Sequence, residues 1–311
     1  MIAVALSGCT ALLDHRAEAR EQVSTEMTPP KGAFVEVNGR RVHAVVRGDG
    51  PDLVMIHGAS GNLRDFTFDL MDRLTDDFRV IAFDRPGLGW SDRQEGIEQS
   101  PLAQADVLRA AAAQLDVENP IVLGHSYGGA VALGWALRAP QDTAALVLVA
   151  PASHPWPGDL GVWYRLADTA IGRGMVLPLV SAFAPRGRAE AVVERIFEPD
   201  PVPEGYTGHI GLDLSLRRSQ LAANVVQVNA LRAYVEEMHV DYPTLDLPVE
   251  ILHGTADTTV GIALHSERLL TDLPDANLVR LDGVGHMPHH ARPGETVAAI
   301  QRAARRAGLR D

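Results

Sequence analysis

The stretch PIVLGHSYGGAV, Pro120–Val131, determines how the rest of the chain is interpreted. A short apolar run leads into the pattern G-x-S-x-G centred on Ser126, and small residues of helical character continue to Arg138. Between a strand and a helix, this pattern reverses the chain so sharply that the serine is held in a strained conformation above the sheet. The flanking positions are glycines because a side chain there would collide with the neighbouring backbone. We therefore expect Ser126 to project from the carboxyl end of a strand.

The composition is that of an ordinary globular protein, with 311 residues of which 46% are hydrophobic and 22% charged. The formal net charge is −12, so nucleic acid is not expected as a partner. Cys9 is the single cysteine, which excludes an internal disulfide and a multi-cysteine metal site. No apolar run in the sequence is long enough for a full transmembrane helix.

Strands alternate with helices along most of the chain. Two short strands flank the turn Asn38-Gly39, a strong hairpin signal, and a helix is expected over residues 64–74. The other predicted strands cover residues 53–57, 78–84, 121–124, 144–149, 249–252 and 277–281. This alternation predicts an α/β fold with a mostly parallel sheet and helices on both faces.

The strand pattern is interrupted over residues 152–244, which read as several short helices broken by prolines and glycines. Ligands bind such sheets outside the carboxyl ends of the strands, so this insertion predicts a helical cap that walls the site. The core then comprises residues 33–151 and 245–311. Candidate pocket residues are Ser60, Trp156, Trp163 and Tyr164, and the alternative role for the two tryptophans is packing inside the cap or between the cap and the sheet.

Two further strand-end loops carry groups that could activate Ser126. A serine hydroxyl is a poor nucleophile unless a base removes its proton and a third group orients that base. Asp257 follows the strand at 249–252, and His286 lies on a glycine-rich loop after the last strand. The predicted catalytic residues are therefore Ser126, Asp257 and His286. Asp246 and Asp282 are nearby carboxylates, but only Asp257 has the post-strand position.

These motifs resemble those of the α/β-hydrolase family, specifically its capped members, over roughly residues 33–308. The segment DRPGLGWS at 84–91 also resembles the family's loop after its fourth strand. For Asp84 and Arg85 we expect a loop-stiffening ion pair or backbone hydrogen bonds rather than catalysis. Capped dehalogenases and epoxide hydrolases use an aspartate nucleophile, and Ser126 argues against both activities. The chain departs from the family at Val260, where proline is common, and at His289-His290, where an acidic residue is common.

The resemblance also implies an oxyanion hole made of two backbone N–H groups. One is that of Tyr127, the residue after the nucleophile, and the resemblance places the other on Ala59. Together these features predict a serine hydrolase acting on a small or medium ester. A carbon–carbon bond hydrolase, an amidase or a thioesterase would use the same residues, and a non-catalytic binding protein could share the fold.

No cofactor is expected, because the sequence has neither a phosphate-binding G-x-x-x-x-G-K-[ST] motif nor a dinucleotide fingerprint after the first strand. No cluster has the spacing of a zinc site either, so no metal is expected. The expected partner is a small-molecule substrate, and no protein partner is evident.

The first thirteen residues, MIAVALSGCTALL, form an apolar run around Cys9. Leu6–Cys9 resembles the lipobox of bacterial lipoproteins, which implies a lipid on Cys9 and a location on a membrane of the cell envelope. The polar residues 14–32 would then be a tether. No Lys or Arg precedes the apolar run, as a complete signal peptide would require. The alternatives are a start further upstream or an apolar N-terminal helix on a cytoplasmic protein.

Overall fold

The fold is known from a computed structural model that describes residues 2–311, with side chains described from residue 13 onward. One eight-stranded sheet forms the centre, in the order β1-β2-β4-β3-β5-β6-β7-β8. Its strands are β1 Ala33–Val37, β2 Arg40–Arg47, β3 Asp52–Ile56, β4 Arg79–Phe83, β5 Ile121–His125, β6 Ala145–Val149, β7 Val249–Gly254 and β8 Ala276–Leu281. Strand β2 is antiparallel to β1 and β4, and all other neighbours are parallel. The predicted fold class is confirmed.

Thirteen α-helices are present in residues 2–311: α1 Ile2–Met27, α2 Arg64–Thr67, α3 Pro101–Ala113, α4 Tyr127–Arg138, α5 Val162–Ala167, α6 Leu177–Phe183, α7 Arg186–Phe197, α8 Tyr206–Ile210, α9 Leu212–Ser215, α10 Arg218–Met238, α11 Ser266–Asp272, α12 Pro288–Ala291 and α13 Pro293–Arg306. A π-helical turn, Gly172–Val176, runs directly into α6. The helix expected over 64–74 is wrong in length, because α2 ends at Thr67 and turns follow it. Among these described helices, none has both the length and the apolar character needed to cross a bilayer.

The core lies on both faces of the sheet. Every residue of β3, β5, β6 and β7 is buried, which explains why these strands are largely apolar runs. Helices α3, α4 and part of α10 cover one face, and α13 with the turns around Leu70 and Met71 covers the other. Because β3 and β5 to β8 run in one direction, the loops after them meet at a single edge.

The segment between β6 and β7 contains only helical elements, α5 to α10 with the π turn and a 3₁₀ turn. It is held to the core by polar contacts on the loops at the strand ends. Asn224 on α10 accepts a hydrogen bond from the Ser60 backbone at 2.7 Å, and Asp200 accepts one from Gly285 N at 2.7 Å. The insertion therefore lies over the carboxyl edge of the sheet.

The N-terminal region differs from the expected tether. Most of residues 14–32 belong to α1, and this helix packs on the cap, with Ala17 and Ser24 buried. Asp14, Glu18 and Glu21 share one helix face and surround the Arg218 guanidinium at 3.0, 3.6 and 3.1 Å. A polar composition suggested a solvated linker, whereas this spacing of carboxylates makes a helix face that binds a cap arginine. The Leu6–Cys9 segment falls where side chains are not described, so the lipobox stays a prediction.

Candidate active site

Ser126 sits in the strained turn that the sequence predicts. Its backbone has φ 53° and ψ −117° between β5 and α4, and the side chain is half-buried. The backbone N–H of Ser126 donates to Val149 O at 3.0 Å, which fastens the turn to the neighbouring strand end. A Cβ on Gly124 would lie 2.2 Å from Gly128 O, and one on Gly128 would lie 2.1 Å from Ile56 O. Only glycines allow the chain to reverse this tightly.

The predicted acid and base are hydrogen-bonded to each other. His286 Nδ1 lies 2.6 Å from Asp257 Oδ2, and both residues are buried. The other carboxylate oxygen of Asp257 accepts from the backbone N–H groups of Thr259 and Val260, at 2.8 and 2.9 Å. With a proton on Nδ1 directed at Asp257, the Nε2 of His286 is the basic nitrogen.

The environment keeps Asp257 ionised. Burial alone raises the pKa of this carboxyl, but hydrogen bonds from His253 and His286 outweigh that effect and hold the pKa far below its usual range. His253 Nε2 approaches Asp257 Oδ2 at 3.1 Å and Val260 O at 2.8 Å. A permanently charged carboxylate can stabilise positive charge on His286. His253 lies near the end of β7, the strand that Asp257 follows, but the sequence predicted only a structural role for it.

His125, which precedes the serine, connects the Ser126 turn to His286. His125 Nε2 donates to the backbone carbonyl of His286 at 3.0 Å, and the two imidazole rings have centroids 5.0 Å apart. Within residues 13–311, the hydroxyl of Ser126 makes no hydrogen bond to another side chain. Serine–histidine bonds of this kind are often long until substrate binds. The histidine loop is thus tied to the serine turn by the hydrogen bond from His125.

The turn at residues 57–59 lies against the serine. A Cβ on Gly58 would be 3.2 Å from the Ser126 Cβ, so glycine permits this approach. In the described chain, neither Ala59 N nor Tyr127 N has a backbone or side-chain acceptor. Tyr127 begins α4, where N–H groups have no partner within the helix. Both predicted donor groups are therefore available beside Ser126.

Arg85 holds this turn in place from beneath. It is fully buried, and its guanidinium donates to His57 O at 2.9 Å and to Gly58 O at 3.0 Å. The same group lies 4.2 Å above the centre of the Tyr127 ring. No carboxylate of the described residues lies within ion-pair distance of it. Burial lowers the pKa of Arg85 to about 10, which still leaves it protonated at neutral pH.

Asp84 and Arg85 both make hydrogen bonds to the backbone, one of the two expected arrangements, and they form no ion pair with each other. Asp84 accepts from Leu63 N at 2.7 Å and from Trp90 N at 2.8 Å, and it pairs with His43 Nδ1 at 2.7 Å. The DRPGLGWS motif drew attention to Arg85. It could not show that Arg85 binds the carbonyls of the 57–59 turn.

A second buried network, missed by sequence reasoning, surrounds Asp65. His289 Nε2, His290 Nε2 and the Tyr206 hydroxyl lie 3.0, 2.8 and 2.7 Å from its carboxylate. Burial alone raises the pKa of Asp65, but attraction and hydrogen bonds from the two histidines hold it well below the usual value. Three of these residues place ligand atoms within 4.8 Å of one another, as a metal site would. The Nε2 atom of each histidine is already paired with the carboxylate, whereas His289 Nδ1 is buried without a hydrogen-bond partner in residues 13–311.

The four candidate pocket residues differ in their exposure and in their contacts. Ser60 is exposed beside the 57–59 turn and is bound by cap residues through its backbone. Trp156 is half-buried, with its ring 6.2 Å from that of His265. Tyr164 packs inside the cap, and Trp163 is 40% exposed on its outer side. Trp156 packs against the core cluster of the sheet, as the packing alternative expects, and Trp163 is exposed to solvent.

This fold and the Ser126 turn define a known class of protein. The chain belongs to the alpha/beta hydrolase family, whose model matches residues 53–300. An uncharacterised protein of Mycobacterium tuberculosis is 28% identical over 298 residues, 89% of this chain and 82% of that protein.

Solved structures share the fold. A putative lipase from Acinetobacter baumannii has a TM-score of 0.70 and 22% identity, over 94% of this chain and 96% of that chain. An enol-lactonase from Burkholderia xenovorans has a TM-score of 0.71 and 18% identity, over 88% of this chain and 100% of that chain. At these identities the resemblance establishes the architecture, and the chemistry has to be argued from the site.

Proposed function

We propose that this protein is a serine hydrolase that cleaves a small or medium carboxylic ester through an acyl-enzyme. The observation that carries this proposal is the Ser126 turn with the His286–Asp257 pair at the same edge of the sheet. The family is one of hydrolases, and two fold neighbours, the lipase and the enol-lactonase, are named for activities on ester bonds. A lactone is a cyclic ester, so an ester substrate is the simplest assignment.

In the first half of the reaction, Ser126 Oγ bonds to the ester carbonyl carbon while its proton passes to His286 Nε2. Asp257, ionised and bonded to Nδ1, stabilises the resulting imidazolium. The carbonyl oxygen becomes an oxyanion that accepts hydrogen bonds from the N–H groups of Ala59 and Tyr127. The carbon–oxygen bond to the alcohol then breaks, and His286 donates its proton to the departing oxygen.

In the second half, water releases the acyl group. The water oxygen bonds to the acyl carbon while His286 takes its proton, and the oxyanion again receives the two N–H bonds. The bond to Ser126 breaks, and the proton returns from His286 to the serine oxygen. Loss of one oxyanion donor in such an enzyme typically lowers turnover about 10²–10³-fold.

A fluorophosphonate probe tests the proposal directly, because it labels an activated serine whatever the natural substrate is. The wild-type chain should be labelled, Ser126→Ala should not be, and Ser219→Ala, at an exposed serine of α10, should be labelled normally. Persistent labelling of Ser126→Ala, or no labelling of folded wild type, would favour a binding protein on this fold. A series of p-nitrophenyl esters of graded chain length would then define the acyl group.

We also propose that Cys9 carries lipid and holds the protein on a cell-envelope membrane. The support is the sequence alone: an apolar run ends at the only cysteine, after Ser7-Gly8. Several acyl chains on one residue anchor a protein stably, whereas one chain binds marginally. Labelled palmitate given to the source bacterium should enter the wild-type protein and not Cys9→Ala. Label retained in Cys9→Ala, or an unlabelled wild type, would contradict this assignment.

A further inference from the structure

The outer side of the cap carries a concentration of exposed apolar side chains, which we call the cap face, residues 162–188. Half of the fourteen large apolar side chains that are exposed in residues 13–311 belong to it. Six of them are Val162, Trp163, Leu166, Ile171, Met175 and Leu179. The seventh, Phe183, lies under the Arg16 guanidinium at 4.6 Å. A cluster of this kind on one part of a soluble fold marks an interaction surface.

The exposure has a regular pattern along the helix formed by the π turn and α6. Ile171, Met175, Leu179 and Phe183 recur every four residues, which places them on one side of a helix. The opposite side is buried, where Leu177 packs with Ala167 and Val225 of α10. The helix therefore packs on the cap through one side and contacts α1 near Phe183. Ile171, Met175 and Leu179 remain exposed on the other side.

The charge of the cap face is opposite to that of the chain. It contains four arginines and one aspartate, a net charge of +3, whereas the whole chain has −12. Arg165, Arg173 and Arg186 have side chains 63%, 53% and 54% exposed. Their partners are surface carboxylates, and such exposed pairs contribute little stability, so the guanidinium groups can turn to another anion.

We propose that the cap face is a docking surface for an anionic phospholipid bilayer. Open apolar side chains, a tryptophan and flanking arginines are the features of helices that lie in a membrane interface. The apolar residues would enter the boundary between headgroups and acyl chains, while the arginines bind phosphates. This contact is separate from any lipid on Cys9, and it does not depend on the ester-hydrolase assignment. It would place the cap, and the site beneath it, against the bilayer.

Binding of the purified full chain to vesicles tests this surface. The Cys9→Ser form is used throughout, so that no attached lipid contributes. Co-sedimentation compares vesicles of equal phosphatidylglycerol and phosphatidylcholine with vesicles of phosphatidylcholine alone. Binding should be stronger to the anionic vesicles and weaken with added salt, because surface charge attraction is screened.

A double substitution locates the contact. Ile171→Ser with Leu179→Ser, at side chains 66% and 41% exposed, should lower the vesicle partition coefficient about tenfold or more. The matched control is Ile97→Ser with Val240→Ser, at side chains 42% and 65% exposed elsewhere, which should bind like wild type. Thermal unfolding and turnover of a water-soluble ester should be unchanged in both, since neither pair touches the site.

Three results would overturn the proposal. The first is no binding of the Cys9→Ser chain to anionic vesicles. The second is an equal loss of binding in the control pair, which would show that the cap face has no special part. The third is a dimer in light scattering that Ile171→Ser/Leu179→Ser converts to a monomer, because a second copy of the chain would then cover this surface.

Discussion

In the sheet, strands β3, β5, β6 and β7 bury every residue, whereas in the cap Ile171 and Met175 are more than half exposed. The strand-end loops are held by contacts that tolerate no added atom, as at Gly124 and Gly128. The cap helices contact those loops through a few polar groups, such as Asn224 and Asp200. The difference suggests that the sheet edge supplies fixed chemistry while the cap supplies the surface that meets the environment.

Substitutions at Ser126 and His286 should have the largest effect. Ser126→Ala and His286→Ala should each lower turnover about 10⁴-fold or more, because the residues of a triad act as a unit. Circular dichroism should show an intact fold in both variants, and thermal unfolding of Ser126→Ala should remain like wild type because that side chain is only half-buried. Substantial activity in either variant would mean that the reaction takes place at another site. The edge of the sheet would then not supply the reacting groups.

Asp257→Asn should cause the second-largest loss of turnover. The amide cannot stabilise the imidazolium and favours the wrong tautomer of His286, so turnover should fall by up to about 10⁴-fold. Steady-state kinetics on a short ester measure the effect, with Asp282→Asn as the control at a nearby exposed carboxylate. Near-native turnover of Asp257→Asn would mean that another group orients the histidine.

Arg85→Met should have an intermediate effect, because Arg85 is a positioning residue for the 57–59 turn. Removing its bonds to the carbonyls of His57 and Gly58 frees the Ala59 N–H to move, and we expect kcat to fall about 10–100-fold. KM should change less than kcat, and Arg85→Lys should recover part of the loss. Arg64→Met, at an arginine that binds the carbonyls of Pro29 and His209 instead, is the matched control. A fall in thermal stability with unchanged kcat would make Arg85 purely structural.

Acid should destabilise the fold through its buried neutral histidines. Burial lowers the pKa of His265 to about 3, and its Nδ1 accepts from the backbone N–H groups of Ser153 and His154. The unfolded chain binds a proton near pH 6.5 and the folded chain does not, so stability is complete above that pH and falls as pH drops toward the folded value. The loss is about 1.4 kcal/mol per pH unit for one such group.

Denaturant unfolding between pH 7 and pH 5 checks this dependence. His265→Asn retains a hydrogen-bond acceptor but not the titration, so its free energy of unfolding should vary less with pH. His15→Asn, at an exposed histidine of α1, should behave like wild type. An unchanged pH slope in His265→Asn would refute the assignment.

Removing metal ions with a chelator should leave turnover unchanged. The proposed reaction uses no metal-bound water, and the Nε2 atoms of His289 and His290 are already hydrogen-bonded to Asp65. Turnover after exhaustive treatment with a chelator should equal that of untreated protein. Loss of activity that a divalent ion restores would show that this cluster has a metal-binding role.

Local patterns sufficed for much of the fold and for the reacting groups. The hairpin at Asn38-Gly39, the α4 helix after Ser126 and the strand-end positions of Asp257 and His286 each depend on a few neighbouring residues. The family match confirms the resemblance found in those motifs. The Ser126, Asp257 and His286 roles stay predictions for the kinetic experiments.

Other features depended on contacts between distant segments. The amino-acid sequence by itself determined the alternation of strands and helices and the glycine-flanked turn, because backbone strain and apolar periodicity act over a few residues. Only the tertiary structure decided that α1 binds Arg218, that Arg85 holds the 57–59 turn, and that Asp65 binds two histidines of α12. Polar groups choose partners by geometry across the whole chain, and their residue types alone do not specify which partner is within reach.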